Sequence, residues 1–306
     1  GVMLAGGFIL LWWQYRVNMN RQINDVQANI HIAFREDLHN ESVAIAQCVD
    51  AIAADRRVIQ ALTTNDVAEL QKTWHDEYLK MKNILNVSHF SFLDRNRVCL
   101  LRMHAPELKG DTVNRFTLCE AQRSGKAFSG VEIGKTGTSV LRSVKPVYHE
   151  GNIVGYVEIG KDVGSFLGKE HIRYNAQLAI LIQKQCLDRG QWEKSMHSLG
   201  READWDQMPD HAVIYATQGR LPDVFAKIVN LHPEKGPTEE ENIGIPYEGK
   251  DWRFVSSPIL DASGESIGCL LVMTDISGPK QAFQQLVLLG GVGSGILLIA
   301  LIRVAI

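Results

Sequence analysis

The stretch Pro146-Val-Tyr-His-Glu-Gly151-Asn-Ile-Val-Gly155, running on to Lys161-Asp162, returns about 112 residues later as Pro258-Ile-Leu-Asp-Ala-Ser-Gly264-Glu-Ser-Ile-Gly268, running on to Thr274-Asp275. From the turn glycine to the second glycine is four residues in both copies, and from there to the aspartate is seven. Only the turn differs, by one residue. A repeat at this period marks two copies of one domain-sized unit, not a solenoid of short repeats. Each copy reads as two apolar runs joined at a glycine turn, the pattern of an antiparallel hairpin.

Both copies lie between apolar ends. The first end is uncharged from Gly1 to Trp13 and continues as Gln14-Tyr15-Arg16; the second is uncharged from Leu286 to Ile302 and is followed by Arg303. Each falls slightly short of the ~20 apolar residues of a full membrane span. We read them as truncated transmembrane helices, 1–16 and 283–306. Trp12, Trp13, Tyr15 and Arg16 have the make-up of an interfacial anchor, and no small-x-small cleavage site follows, which argues against a signal peptide. Residues 17–282 would then lie together on one side of the membrane.

Composition narrows the function. Over 306 residues the net charge is -3, which argues against a nucleic-acid partner. Hydrophobic residues at 45% and charged ones at 22% are ordinary for folded domains. The five cysteines, Cys48, Cys99, Cys119, Cys186 and Cys269, form no CxxC or CxxCH, so neither covalent haem nor a zinc knuckle is indicated. They read as small buried apolar side chains. A Cys99–Cys119 disulfide is the alternative in an oxidising compartment.

After the first apolar end, Ile23, Val26, Ile30, Phe34, Leu38, Ile45, Val49 and Ile52 recur mainly at helical spacing, between faces that carry Arg21, Asp25, Arg35, Glu36 and Glu41. This predicts one amphipathic stalk helix of about 45 residues, broken at Thr63-Thr64-Asn65. Its stripe would also serve a parallel dimer. Asp66-x-x-Glu69 then reads as a capping box for a second helix with Val67, Leu70, Trp74, Tyr78, Met81 and Leu85 on one face. From here the period turns strand-like. His89–Leu93 and Val98–Met103 flank a polar turn, a helix over Val113–Arg123 ends at Ser124-Gly125, and strands cover 127–133, 139–147 and 153–158. The second unit opens with a helix over Val163–Tyr174 and a strand over 177–182, and ends with strands 244–247, 252–257 and 267–274. The stretch 187–211 has no assignment. The fold class is therefore α+β: a stalk and second helix over 17–85, then two tandem PAS-like antiparallel-sheet units over 86–162 and 163–280.

These elements together resemble the double Cache sensor domain of bacterial chemoreceptors, sensor histidine kinases and diguanylate cyclases. The likeness is to the double Cache 3 type. It rests on His89-Phe-x-Phe, Leu101-Arg102-Met103-His104-x-Pro106, Gly110-Asp111, Arg115, Gly130-Val-Glu-Ile-Gly134, Gly137, Arg142 and Pro146 in the first unit. In the second it rests on Pro258-Ile-Leu-Asp261-x-Ser-Gly264-x-x-Ile-Gly268 and Thr274-Asp275-Ile276. It implies a region held in the cell inner membrane, with residues 17–282 periplasmic or extracellular. The first unit would be membrane-distal and would bind a small molecule.

In a PAS-like unit the ligand lies between the sheet and the loop-helix segment that crosses it. In the first unit that segment and the strands beside it carry Arg102, His104, Asp111, Arg115 and Arg142. Several arginines facing one pocket favour a carboxylate or phosphate through two-armed charge-assisted bonds. Asp111 would take an ammonium group or hold an arginine in place. The competing reading is an internal Arg–Asp network that ties the loop to the sheet. Arg102 and His104, two apart, would share a strand face. Tyr148 and Glu158 are weaker candidates to line the pocket. His89 reads as a strand-edge histidine. No histidine–carboxylate spacing supports a metal, and no cofactor is implied. In the second unit Trp252, Arg253 and Asp261 hold the analogous polar positions, with Trp252 read as core.

Catalytic motifs do not emerge. Gly134–Thr138 lacks the spacing of a phosphate loop, and Ser42 and Ser88 lack a nucleophile elbow. The sequence thus reads as a non-enzymatic ligand-sensing region; its partners are a small anionic or zwitterionic molecule, the membrane and a second copy of the chain. The alternative is a scaffold or dimerisation module that binds no small molecule.

Overall fold

The structure, a computed structural model, describes residues 2–134, 137–231, 244–285 and 287–288. Helix α1, Val2–Ala53, is 52 residues long. At 1.5 Å per residue it runs for roughly 80 Å. Its expected stripe is turned inward: Ile23, Ile30, Phe34, Ile45, Val49 and Ile52 are buried, with Val26 and Leu38 packed against the same core. The helix does not run unbroken to Thr63. It stops at Ala53, because Asp55 takes an extended conformation and its carboxylate accepts the Arg57 N–H at 2.8 Å. That cap starts a separate short helix, α2, Arg56–Thr64, which ends at Asn65 in the left-handed region. Helix α3, Val67–Leu85, begins at Asp66, whose side chain accepts the Glu69 N–H at 3.0 Å. The Asp66 N–H goes to Ala61 O instead, so only one arm of the expected capping box forms. Leu85, expected on the inner face, is exposed.

The first unit is a five-stranded antiparallel sheet built from β1 (His89–Asp94), β2 (Cys99–Arg102), β3 (Phe128–Ile133), β4 (Ser139–His149) and β5 (Asn152–Asp162), in the order β2-β1-β5-β4-β3. Helix α4, Phe116–Ser124, crosses it; it starts three residues later than expected, after Arg115 in an extended conformation, and closes on Gly125. The second unit follows a 3₁₀ turn over Val163–Phe166 and helix α5, Leu167–Tyr174. Its strands are β6 (Ala176–Gln183), β7 (His211–Ala216), β8 (Ile245–Tyr247), β9 (Lys250–Leu260) and β10 (Ser266–Asp275), in the order β7-β6-β10-β9-β8. Strand for strand this is the order of the first sheet. The sequence repeat is therefore a repeat of topology. The unassigned stretch forms helix α6, Arg189–Ser198, and a 3₁₀ turn over Trp205–Gln207; α7, Asp223–Leu231, stands where α4 stands in the first unit.

The repeated glycines have the same two uses in both copies. Gly151 and Gly264 sit in the hairpin turns at φ +80 and +90, where a side chain is strained. Gly155 and Gly268 lie flat on the neighbouring strand: a Cβ on Gly155 would meet Leu93 O at 2.5 Å, and one on Gly268 would overlap Leu181 O.

Period-2 alternation divides the first sheet. Phe90, Phe92, Leu101, Leu141, Val157 and Ile159 face the helices α1 to α3 and join a core that continues into the second unit through Ile180, Ile182, Leu270 and Val272. On the opposite face Leu93, Cys99, Val144 and Tyr156 pack on Leu118 and Ala121 of α4. All five cysteines are free, so the Cys99–Cys119 disulfide does not form; Cys119 Sγ accepts from Arg97 Nη1 at 2.8 Å.

The flanking spans have no counterpart among the described residues: no described helix is long and apolar enough to cross a membrane. Residues 2–16 are the opening turns of α1, and most of 283–306 lies outside the described residues. The two ends do meet. Tyr15 stacks on Phe283 with ring centroids 3.9 Å apart and planes 9° from parallel.

Candidate functional site

The α4-side face of the first sheet is apolar at one end and charged at the other. At the charged end β1 contributes His89 and Ser91, β2 Arg102, β3 Glu132, β4 Arg142 and β5 Glu158. The register sets Ser91 opposite both Arg102 and Glu158, and Arg142 opposite Gly160, so these side chains converge by alternation. Arg115, the residue before α4, closes the cluster.

Glu158 is its centre, with a side chain only 1% exposed. Its Oε1 accepts from Arg142 Nη1 at 2.7 Å, and its Oε2 accepts from Arg115 Nη2. Burial raises this carboxyl, but Arg115 and Arg142 outweigh it and hold it at about 2. Burial, with Arg115 beside it, brings Arg142 down to about 10, so it stays charged at neutral pH. Glu132 caps α4 from across the sheet: its carboxylate accepts the Thr117 N–H at 2.8 Å and the Thr117 hydroxyl at 3.0 Å. Its Oε2 lies 3.6 Å from Arg115 Nε and 3.8 Å from Arg142 Nε. At the rim Arg102 grips Asp111 with two arms, Nη1 to Oδ1 at 2.7 Å and Nη2 to Oδ2 at 3.0 Å. Its Nη1 also donates to Leu108 O, which draws the loop 103–110 over the site.

The arrangement borders a partly open cavity of about 30 Å³ lined by His89, Ser91, Arg102, His104, Leu108, Arg115, Arg142 and Glu158. That is room for a water or two. Both histidines are neutral at pH 7. Burial pushes His104 down to about 4 and His89 well below its usual range, and Arg142 adds to both. Three arginines thus face three carboxylates and two neutral rings, and the charges cancel.

Of the six residues expected from sequence, Arg102, His104, Arg115 and Arg142 line this cavity, and Asp111 is held at its edge by Arg102. His104 arrives by another route than strand alternation. β2 ends at Arg102, and His104 Nδ1, in the turn beyond, accepts the Phe90 N–H at 3.2 Å. Tyr148 is not part of the cluster: six positions past Arg142 on β4, its hydroxyl donates to Gly125 O at the far end of the sheet. Glu132, a central member, was not among the expected residues, and Glu158 was only a weak candidate. The signal was there. Val131-Glu132-Ile133-Gly134 and Val157-Glu158-Ile159-Gly160 are the same four residues, each with a lone carboxylate inside an apolar strand.

The analogous second-unit positions build no such site. Trp252 is core and donates to Tyr247 O at 3.3 Å, Arg253 donates to Asn20 of α1 at 2.7 Å, and Asp261 accepts from Ser263 and Glu265 within its turn. A larger groove of about 70 Å³ lies beside β7, lined by Arg201, Glu202, Asp204, Tyr215 and Arg220 among others. Glu202, Asp204 and Arg220 are each about half exposed, so solvent screens them. The buried cluster of arginines and carboxylates lies in the first unit.

Residues 23–278 match the family model described as the double sensory domain of two-component sensor kinases, dCache_3. The chain belongs to this family. It is thus homologous to extracytoplasmic sensor domains, and the stalk helix with two sheets of equal strand order is the double Cache fold. Among solved structures the dCache_3 chain is similar to the sensor domain of the Vibrio cholerae histidine kinase DctB, at 12% identity and a TM-score of 0.49, covering 86% of this chain and 98% of that one. It is similar to the domain of a sensory box/GGDEF family protein from Vibrio parahaemolyticus, at 15% identity and 0.48, covering 86% and 97%. A third is the ligand-binding domain of the Campylobacter jejuni chemoreceptor Tlp3, in complex with 4-methylisoleucine, at 10% identity and 0.41, covering 88% and 94%. No curated protein matches the chain.

Proposed function

We propose that this double sensory domain is the small-molecule-sensing region of a bacterial transmembrane receptor of the chemoreceptor, histidine kinase or diguanylate cyclase type. Its site is the charge cluster of the first, membrane-distal unit, and its ligand is a small anionic or zwitterionic molecule. The observation that carries this reading is the cavity itself. A purely structural network would close on its own atoms, whereas here Arg115 Nε and Arg142 Nε are buried without a hydrogen-bond partner beside a partly open cavity. A ligand would signal through its differential affinity for two arrangements of α1 and the C-terminal helical residues 277–285. The exposed Trp12 and Trp13 and the Tyr15–Phe283 stack support a common membrane entry for the two segments at this end. The α1 stripe expected to serve a parallel dimer is taken up by this chain's own core, so a homodimer would have to use the outer side of α1, where Ile32 and Val43 are exposed.

One observation favours the second reading, a ligand-free scaffold: each arginine of the cluster already has a carboxylate partner. A thermal-shift screen of the chain against metabolites separates the two. A ligand at 100 times its dissociation constant stabilises by ~2.7 kcal/mol. A hit that disappears in Arg142→Gln supports sensing at this site. A chain that melts unchanged with every compound supports the scaffold.

A further inference from the structure

Helix α1 backs both sheets but is fastened to them differently. Along the first unit the fastenings are ion pairs: Glu41 Oε2 receives Lys161 Nζ at 2.5 Å, and Asp50 Oδ1 receives Lys145 Nζ at 2.8 Å. Along the second unit strand β9 supplies hydrogen bonds instead. Asn20 Oδ1 accepts from Arg253 Nη1 at 2.7 Å, and His31 Nδ1 lies 3.1 Å from Ser257 Oγ. Arg253 and Ser257, four apart, share the α1 face of β9, whereas Trp252 and Phe254 join the α7-side core. The His31 bond is the vulnerable one. The ring is half-buried, and its Nε2 is buried without a hydrogen-bond partner among the described residues. A neutral imidazole fits this, because Nε2 is then the bare acceptor while Nδ1 shares a proton with the Ser257 hydroxyl. An imidazolium does not fit: both nitrogens carry protons, and the second is a buried donor with no acceptor. The neighbouring charges act the same way. Arg35, one turn along α1, opposes a positive ring, and no carboxylate among the described residues acts on it. Other titratable groups on the surrounding elements are engaged elsewhere: Arg253 with Asn20, His171 of α5 with Ala176 O, and Asp275 of β10 with Lys250.

We propose that His31 is an acid-released latch between α1 and the second sheet: protonation turns the ring away from Ser257 and loosens residues 17–34, while the ion pairs keep 41–52 on the first unit. The sign follows from the environment. Burial, and then Arg35, lower the ring's pKa from its ordinary 6.5, so the folded ring stays neutral where a free one would take a proton. The latch is therefore whole above pH 6.5 and is lost as pH falls below it. The freed stretch is the one that matters for output. It leads directly to Tyr15, which stacks on Phe283 of the C-terminal helical residues. Loosening it alters the same pairing of α1 with the C-terminal segment through which a ligand would signal. The latch needs no ligand in the first unit, so it stands or falls independently of the sensing reading and makes the proton a second input.

The test is amide hydrogen exchange of the whole chain at pH 7 and pH 5, corrected for the pH dependence of intrinsic exchange, in the parent, His31→Gln and Ser257→Ala. At pH 5 the charge cluster is still intact, because His104 titrates at about 4. The latch predicts that residues 17–34 of the parent open more at pH 5 by roughly fivefold, the equivalent of one hydrogen bond, with 41–52 unchanged. His31→Gln, which cannot titrate, should lose the acid response. Ser257→Ala, which removes the partner, should show the faster exchange of 17–34 already at pH 7. Residues 41–52 report in every sample whether the fold is intact. The latch is overturned by a parent with no acid response over 17–34, by an equal response in His31→Gln, or by Ser257→Ala matching the parent at pH 7. A rise over 41–52 as large as that over 17–34 also overturns it, because the opening is then global.

Discussion

At the scale of single residues, the cluster is a set of buried charges whose cost is met only while every partner is present. Removing one partner of a buried pair leaves the others uncompensated, at about 3–5 kcal/mol. Glu158→Gln strands two arginines at once and is expected to cost that much in urea unfolding, whereas Glu120→Gln, which breaks the solvent-exposed pair with Arg123, should be close to silent. A midpoint for Glu158→Gln equal to the parent's would mean the network contributes nothing. The histidines give the pH dependence. His104 titrates at about 4 in the fold and near 6.5 when unfolded, so below pH 6.5 the unfolded chain binds a proton that the folded chain does not. Stability is therefore expected to fall as pH drops from 6.5 towards 4, by roughly 3 kcal/mol from this ring alone. Glu158, held at about 2, adds its own loss only below pH 4.5. Urea midpoints measured from pH 7 to pH 4 check this, and His104→Asn should flatten the upper part of the curve.

At the scale of elements, the repeat was legible because backbone geometry imposes it. A turn at φ near +85 and a strand glycine pressed on a neighbouring carbonyl tolerate one residue type, so both copies keep it. Gly268→Ala is expected to destabilise by about 2–4 kcal/mol, since the strand must move off Leu181, while Gly200→Ala, at an exposed helix end with open space around it, should cost clearly less. Comparable losses in calorimetric melting would sink the packing argument. Helix limits were less legible. The α1–α2 break depends on Asp55 capping a following turn, and Asp50-Ala-Ile-Ala-Ala-Asp55 is otherwise good helix sequence. Asp55→Ala should cost about 1 kcal/mol. The stretch 187–211 resisted reading because α6 is amphipathic only weakly and gains its place through Trp192, which is fully buried and packs edge-on to Trp205 of the following 3₁₀ turn. At the site, the arginines stood out by charge. Glu132 was missed because a carboxylate in a strand reads as solvent-facing until the register shows what covers it.

At the scale of the whole molecule, two units of equal topology must act as one if a change in the first is to reach the C-terminal helix. Beside the core they share, several contacts among the described residues join them. Asp162, the aspartate that ends the first repeat, receives Arg201 Nη2 at 2.6 Å. The turn of the β9–β10 hairpin reaches the edge strand of the first sheet, where the Ala262 N–H donates to Val131 O at 2.7 Å. Gly137 rests on the backbone of Trp192. The hairpin contact is the most telling, because Val131 adjoins Glu132 of the cluster and β10 ends at residue 275, just before the helical segment that carries Phe283. A side chain on Gly130 would stand 2.9 Å from Ala262 Cα, so Gly130→Val should push the hairpin away while leaving each sheet its own core. The parent is expected to melt in one calorimetric transition and Gly130→Val in two, since a smaller shared interface no longer makes the units cooperative. On the sensing proposal, a ligand that stabilises the single transition of the parent would then raise only one of the two in the variant, the one that belongs to the first unit. If both transitions still rise together, coupling runs through α1, which backs both sheets, and the hairpin is a bystander.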